Sequence, residues 1–411
     1  MPLTRTEKWI NKDLENRRKT GVLKGPECVI TRIKPASGKK GPRYVLEGDG
    51  KEYIKMNSNS YLGLSLNKEV IKSEEENAEK FGAGPGAVRF INGTFKTHVE
   101  LERKLAGFHK REAAMIFSSA YAANCGVTAP LISEDTAVLS DALNHNSIIN
   151  AVKLSRPKEK RIYAHLDMDG LEKHLKELRG TCRRAVIISD GVFSMRGDYP
   201  DMEKMVSIAR RYDTDFEEGV LTIIDDSHGI GAYGKTGRGT CEVTGEYGVD
   251  IITSTLGKAL GVNGGYVVSD SKVIEYLRET APLYIYSNPI TPAEAGAALK
   301  SLEILDSPKG RKMLSYLSGL TAYFKQGLMD LGYEIIDGRH PIVPLMVRDT
   351  HKTIRLTDYL RNKGILGVGL KYPVVPKGDE CIRFQVSCSH TKHDINYVMN
   401  VLAEYKKENP L

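Results

Sequence analysis

The stretch 221-LTIIDDSHGIGAYGKTGRGT-240 decides the fold. Within it, Gly229 to Thr236 fits the phosphate-cradling spacing GxxxxGK[ST], and Gly229, Gly231 and Gly234 fit GxGxxG. A working phosphate loop leaves a strand at its first glycine and enters a helix at its Lys-Thr pair, so that helix amides and dipole meet the phosphates. Here Thr236 is followed by Gly-Arg-Gly-Thr, which starts no helix, and Asp225 and Asp226 put two carboxylates where phosphates would have to sit. The missing helix weighs against the dinucleotide reading too, and a nucleotide-binding or regulatory protein built on this loop stays as a minor alternative, which a colourless protein that binds ATP tightly would favour. What remains to be explained is the role of Asp225, Asp226 and His228 at the end of an apolar strand.

Short apolar runs lie on both sides of this strand: "AAMIFSS", "AVIISDG", "DIITSTL" and "GGYVVSD". They alternate with helical patterns such as "MDGLEKHLKELRG" and "PDMEKMVSIARRY", the rhythm of an α/β domain with a mainly parallel sheet. Thr97 with Glu100 reads as a capping box, predicting a helix from near residue 98 with Leu101, Leu105 and Phe108 on one face. After "YIYSNPITPAEAG" the rhythm loosens into a long helical stretch and the strands "IVPLMV" and "CIRFQVS". The expected organisation is an N-terminal arm over 1–55, a large domain over 56–290 and a smaller α+β domain over 291–411.

Composition bounds the function classes. A chain of 411 residues, 41% hydrophobic and 27% charged, is an ordinary globular body large enough for two domains. Its net charge of +7 arises from 59 basic and 52 acidic residues spread along the chain, which suits anionic small ligands better than nucleic acid. The six cysteines form no CxxC pair, so neither a metal site nor a disulfide framework is expected, and the polar N-terminus carries no secretory pattern. Ala113 to Ser133 is uncharged but interrupted by Ser118, Ser119, Asn124, Gly126 and Pro130, and reads as buried strand, turn and helix instead of a membrane span. A cytoplasmic setting is expected.

The chemistry-bearing candidate is Lys258 in "TSTLGKALG", after an apolar strand and between Gly257 and Gly261. A lysine in such a turn has a depressed pKa and serves as an amine nucleophile toward a carbonyl. Pyridoxal phosphate needs such a lysine together with an acidic side chain that keeps its ring nitrogen protonated, and Asp225 suits that second role.

The blocks "NSYLGL", "SDALNHNSII", "DGVFSMRGD", "IIDDSHGIGAYGKTGRGT", "TSTLGKALG", "YIYSN" and "YPVVPKGDECIRFQVSCSHT" run in family order from about residue 57 to 391. In them the chain resembles the α-oxoamine synthases, pyridoxal-phosphate enzymes of the aspartate-aminotransferase fold (fold type I) that join an amino acid to an acyl-CoA. The resemblance implies that Lys258 carries the cofactor as a Schiff base and removes the Cα proton. It implies that Asp225 pairs with the ring nitrogen, that His228 contacts the phenolic oxygen, and that His145 stacks on the ring. Ser194 would hydrogen-bond near that oxygen, with Asp190 behind it. The amides of Ala120 and Tyr121 and the hydroxyl of Thr255 would meet the phosphate, with Ser287 and Asn288 reaching in from the partner subunit of a homodimer. Arg383 and Asn59 would bind the substrate carboxylate. The likeness is greatest to the branch that converts glycine and acetyl-CoA to 2-amino-3-oxobutyrate and CoA, the glycine C-acetyltransferases. The 8-amino-7-oxononanoate, 5-aminolevulinate and serine palmitoyl branches are the alternatives, and an aminotransferase of the same fold is a further one. "ALGVNGGYVV" is one residue shorter than that branch's pattern, which bears on the substrates and leaves the cofactor contacts in place.

Overall fold

The computed structural model describes residues 4–20, 23 and 27–409; the parts of the expected arm at 1–3, 21–22 and 24–26 lie outside the described residues. Fourteen strands are described. The first three are β1 (Ile30–Lys34), β2 (Arg43–Leu46) and β3 (Glu52–Lys55). Next come β4 (Ala113–Phe117), β5 (Thr136–Asp141), β6 (Glu159–Tyr163), β7 (Arg184–Asp190), β8 (Val220–Asp225), β9 (Ile251–Thr255) and β10 (Gly265–Ser269). The last are β11 (Ile342–Met346), β12 (Ile365–Leu366), β13 (Val368–Leu370) and β14 (Cys381–Gln385).

Seven strands form the central sheet in the order β4-β10-β9-β8-β7-β5-β6. From β9 to β6 all pairings are parallel, and β10 runs antiparallel to both β4 and β9. Its inner strands are apolar on both faces because helices cover both. Along β7, Ala185 and Ile187 enter one core cluster, while Val186 and Ile188 enter the cluster on the other side, the period of two that a pleated strand imposes. The fold is therefore α/β with a mainly parallel sheet, as the alternation of runs predicts.

Two smaller sheets flank this body. β11, β14 and β13 form an antiparallel sheet, and β1, β2 and β3 are joined by β12, which pairs in parallel with β3. The helix Pro292–Leu305 packs on the helices Lys68–Phe81 and Lys96–His109. Its Ala295, Gly296, Ala297 and Ala298 permit the close approach; a Cβ at Gly296 would meet Asn77 Nδ2 at 2.2 Å.

The expected capping box of Thr97 with Glu100 is not formed. The helix starts at Lys96, and His98 reaches back so that its Nδ1 accepts from the Phe95 amide at 3.1 Å. Thr97 falls inside the first turn, buried with its hydroxyl unpartnered. The uncharged run at 113–133 is strand β4, a turn and the helix Ala120–Leu131. Among the described residues no helix is long and apolar enough to cross a membrane.

Candidate active site

Asp190 and Asp225 end β7 and β8 side by side in register, and Thr255 ends β9. The carboxyl ends of parallel strands are where an open α/β sheet presents its crevice. A cavity of about 60 Å³ lies there, lined by Asp190, Asp225, Thr255 and Lys258 from strand ends and the loop after β9. Ala120, Tyr121, His145, Ser194 and His228 complete the predicted part of the lining, and Ser147 and Ser227 were not anticipated.

Lys258 sits in the turn between β9 and β10, anchored by the buried side chains of Leu256, Ala259 and Leu260. Gly261 closes the turn at φ +73°, with its amide donating to the Lys258 carbonyl at 3.1 Å, and a Cβ there would lie 2.4 Å from the Ser65 amide nitrogen. The Lys258 amine has no hydrogen-bond or ion-pair partner among the described residues. Burial lowers its pKa, against the opposing pull of the Asp225 and Asp190 carboxylates.

Asp225 is fixed by the Asn124 side-chain amide at 2.6 Å and the Ser227 backbone amide at 3.0 Å. Asn124 itself accepts from the Thr253 hydroxyl at 2.7 Å, so one helix residue ties two strands to the carboxylate. Asp190 accepts from the His145 amide at 2.8 Å; burial, then the neighbouring Asp225 charge, pushes its pKa well above the ordinary value. His145 caps the helix Asn146–Ser155 and shares a 2.7 Å hydrogen bond with Ser147. Burial and then Lys258 hold His228 well below the ordinary imidazole pKa, and its Nδ1 meets the Tyr61 hydroxyl at 2.7 Å. Tyr61 lies inside the quoted "NSYLGL" block; its sequence signal was there, but Asn59 was the residue singled out.

The helix Ala120–Leu131 points its N-terminus at this cavity. Ser119 caps it by accepting from Ala122 at 3.1 Å, while the first helical amides, those of Ala120 and Tyr121, have no carbonyl within the helix to meet. Gly265 of β10 lets this turn close in, since a Cβ there would stand 2.3 Å from the Ala120 nitrogen.

Arg383, on β14, is buried and donates to the Ser194 carbonyl at 2.7 Å; its Nε has no partner, and among the described residues no carboxylate pairs with it. Asn59 meets the side-chain amide of Gln385, two residues along the same strand. Ser287 and Asn288 do not line the cavity of their own chain; they follow the short helix Pro282–Ile285 toward the surface.

The loop at 229–240 holds carboxylates of its own chain. Asp226 accepts from the Thr240 amide at 2.7 Å and the Thr240 hydroxyl at 2.6 Å, and Glu242 accepts from the amides of Thr236 at 2.9 Å and Arg238 at 3.0 Å. Gly239, at φ +74°, leaves room for Asp226 Oδ2, which would lie 2.0 Å from a Cβ. The motif-like glycines serve internal anions.

These features fit pyridoxal phosphate. A lysine amine without a partner, an oriented carboxylate across the same cavity, free amides at a helix N-terminus and a buried guanidinium without a carboxylate are the donor set that its aldehyde, ring nitrogen, phosphate and amino-acid partner require. Fold and site thus define a pyridoxal-phosphate-dependent enzyme of fold type I. The model of the family "Aminotransferase class I and II" matches residues 51–402, and the chain belongs to that family. Within it the chain is an α-oxoamine synthase. It is 39% identical over 377 residues to 8-amino-7-oxononanoate synthase of Symbiobacterium thermophilum, covering 92% of this chain and 93% of that one. It is 38% identical over 394 residues to the mitochondrial 2-amino-3-ketobutyrate coenzyme A ligase of Homo sapiens, covering 95% and 90%. A lysine-to-alanine variant of serine palmitoyltransferase from S. paucimobilis with a bound PLP–myriocin aldimine superposes with a TM-score of 0.87 at 25% identity, over 99% of this chain and 98% of that one.

Proposed function

We propose that this chain condenses glycine with acetyl-CoA to give 2-amino-3-oxobutyrate and CoA, as a homodimer whose Ser287 and Asn288 complete the partner's site. The observation that carries the amino-acid half is the small room, about 60 Å³, around a partnerless Lys258, with the Arg383 guanidinium resting on the Ser194 carbonyl and its Nε without a partner. Arg383 binds the amino acid's carboxylate in its planar fork. Lys258, whose pKa burial lowers, takes the α-proton. Asp225, held by Asn124, would keep a proton at the ring nitrogen, and His228, steadied by Tyr61, would contact the phenolic oxygen. Helix amides of Ala120 and Tyr121 and the Thr255 hydroxyl would hold the phosphate, and His145 would cover the ring. When bound, the cofactor supplies an electron sink for the pair left at the amino acid's α-carbon. The overall reaction joins that carbon to the acyl carbon and releases the CoA thiol.

A second reading, a longer acyl donor, is favoured by an apolar cavity of about 80 Å³ that shares Ser194 with the lysine cavity and is walled by Leu143, Phe193, Met195, Met346 and Val375. Thiol release measured with acetyl-CoA and longer acyl-CoA donors against glycine, alanine and serine separates the two. Glycine with acetyl-CoA is expected to turn over fastest, and Lys258→Ala is expected to release no thiol. Absence of thiol with every donor would point to an aminotransferase instead.

A further inference from the structure

We propose that His165 is a positioning residue: clamped between Asp141 and Asp198, it holds the 191–198 turn in the shape from which the Ser194 carbonyl aims Arg383. This rests on the reading of Arg383 as the site of the amino acid's carboxylate.

Asp141 ends β5 and is fully buried. It accepts from the amides of Leu143 at 2.8 Å and Leu166 at 2.9 Å, and from His165 Nδ1 at 3.0 Å. The other ring nitrogen, Nε2, meets Asp198 Oδ2 at 3.2 Å. A ring whose two nitrogens both face carboxylates donates from both, which requires the imidazolium. The edge of that ring packs on Phe193, 4.4 Å between centroids at 88°.

Phe193 and Asp198 are the two ends of the turn. The Phe193 amide donates to the Asp198 carbonyl at 2.9 Å, and the Gly197 amide donates to the Phe193 carbonyl at 2.8 Å. Asp198 Oδ2 also accepts from Arg196 Nε at 2.8 Å. Arg196 reaches Asp379 at 3.6 Å, and Asp379 in turn meets Arg348 at 3.2 Å, beside the sheet that carries Arg383. Ser194, between these anchors, lines the cavity and accepts from Arg383 on its carbonyl. Without a cation at 165, Asp141 and Asp198 would face each other with like charge, and Asp198 would swing away, taking Arg196 and the turn with it.

The groups around the ring are Asp141, Asp198 and Arg196, with buried Tyr163 two residues before it. Burial works against the imidazolium, but the two carboxylates outweigh it and raise the His165 pKa to about 9. The clamp therefore stands at neutral pH and opens as pH climbs through that value.

The test uses cofactor-loaded wild type, His165→Gln and His165→Arg. Glycine dissociation constants are measured by absorbance titration from pH 7 to 9.5, beside kcat and KM from thiol release. His165→Gln is expected to raise the glycine dissociation constant and KM about tenfold at pH 7.5, with kcat within about twofold and the cofactor spectrum unchanged. His165→Arg, which keeps charge and donors, is expected to bind like wild type at pH 7.5. It is also expected to lose the weakening that wild type shows near pH 9. Unaltered glycine binding in His165→Gln, a lost cofactor spectrum in that variant, or identical pH profiles in wild type and His165→Arg would each overturn the role. If His165→Gln fails to fold, the comparison of the other two still decides. Failure of thiol release in wild type with every donor would defeat the proposed reaction, while the binding titration would still judge His165.

Discussion

At the scale of single residues, the cavity works by leaving some groups without partners and over-determining others. Lys258 and the Arg383 Nε are left open, whereas Asp225 is held from two sides and His228 is held by Tyr61. Tyr61→Phe removes one hydroxyl from a buried pair and leaves His228 Nδ1 unpaired. It is expected to cost about 1–3 kcal/mol in kcat/KM, read by steady-state kinetics, with the cofactor absorbance retained. Asn124→Ala is expected to weaken the cofactor itself, because Asp225 would lose its 2.6 Å donor; titration of the stripped protein with pyridoxal phosphate measures it. Of these, Asp225 and Lys258 stand out in the sequence because the first closes an apolar strand and the second lies in the glycine-bounded turn after one. Asn124, inside the helix Ala120–Leu131, and Ser147, in the first turn of the helix Asn146–Ser155, do not, because they acquire meaning only when the helices pack over the strand ends.

Among the elements, a buried ion triad decides how the helix Lys96–His109 meets the sheet. Glu102 accepts from Arg89 through both guanidinium nitrogens at 3.1 and 3.2 Å, from Arg278 at 2.8 Å and from the Ile116 amide of β4 at 3.1 Å. Glu102→Leu leaves two guanidinium groups without their carboxylate and is expected to destabilise the protein by roughly 3–5 kcal/mol, measured by denaturant unfolding. The local sequence around Glu102 reads as a plain amphipathic helix and holds no sign of the triad: Arg89, Glu102 and Arg278 are brought together by packing across nearly two hundred residues. Conversely, β7 and β8 were legible as written, since a strand covered on both faces has to be apolar throughout.

For the whole molecule, stability should depend on acid through buried imidazoles that do not line the cofactor cavity, His340 among them although its Nε2 meets the His228 carbonyl at 2.9 Å. Burial lowers His109 and His340 to about 3 and His390 to about 4, so the folded protein excludes protons that the unfolded chain binds once pH falls below about 6.5. These three groups contribute stability above that value and lose it as pH falls toward their folded pKa values, each by about 1.4 kcal/mol per pH unit. Asp226, raised by burial to about 7, acts in the opposite sense between its unfolded pKa and 7 and offsets one of them. The thermal midpoint is therefore expected to drop on going from pH 7 to 5, and His109→Gln is expected to flatten that drop; an unchanged midpoint would refute the account. The sequence by itself determined the α/β alternation, the lysine turn and the strand-end acids, because hydrophobic period and glycine placement are local and survive reading in one dimension. Only the tertiary structure decided which carboxylate faces the cavity and which, like Asp226, is spent on the chain's own amides. It alone set Arg383 behind Ser194 and His165 between two acids, because burial and charge pairing are properties of neighbours far apart in the chain.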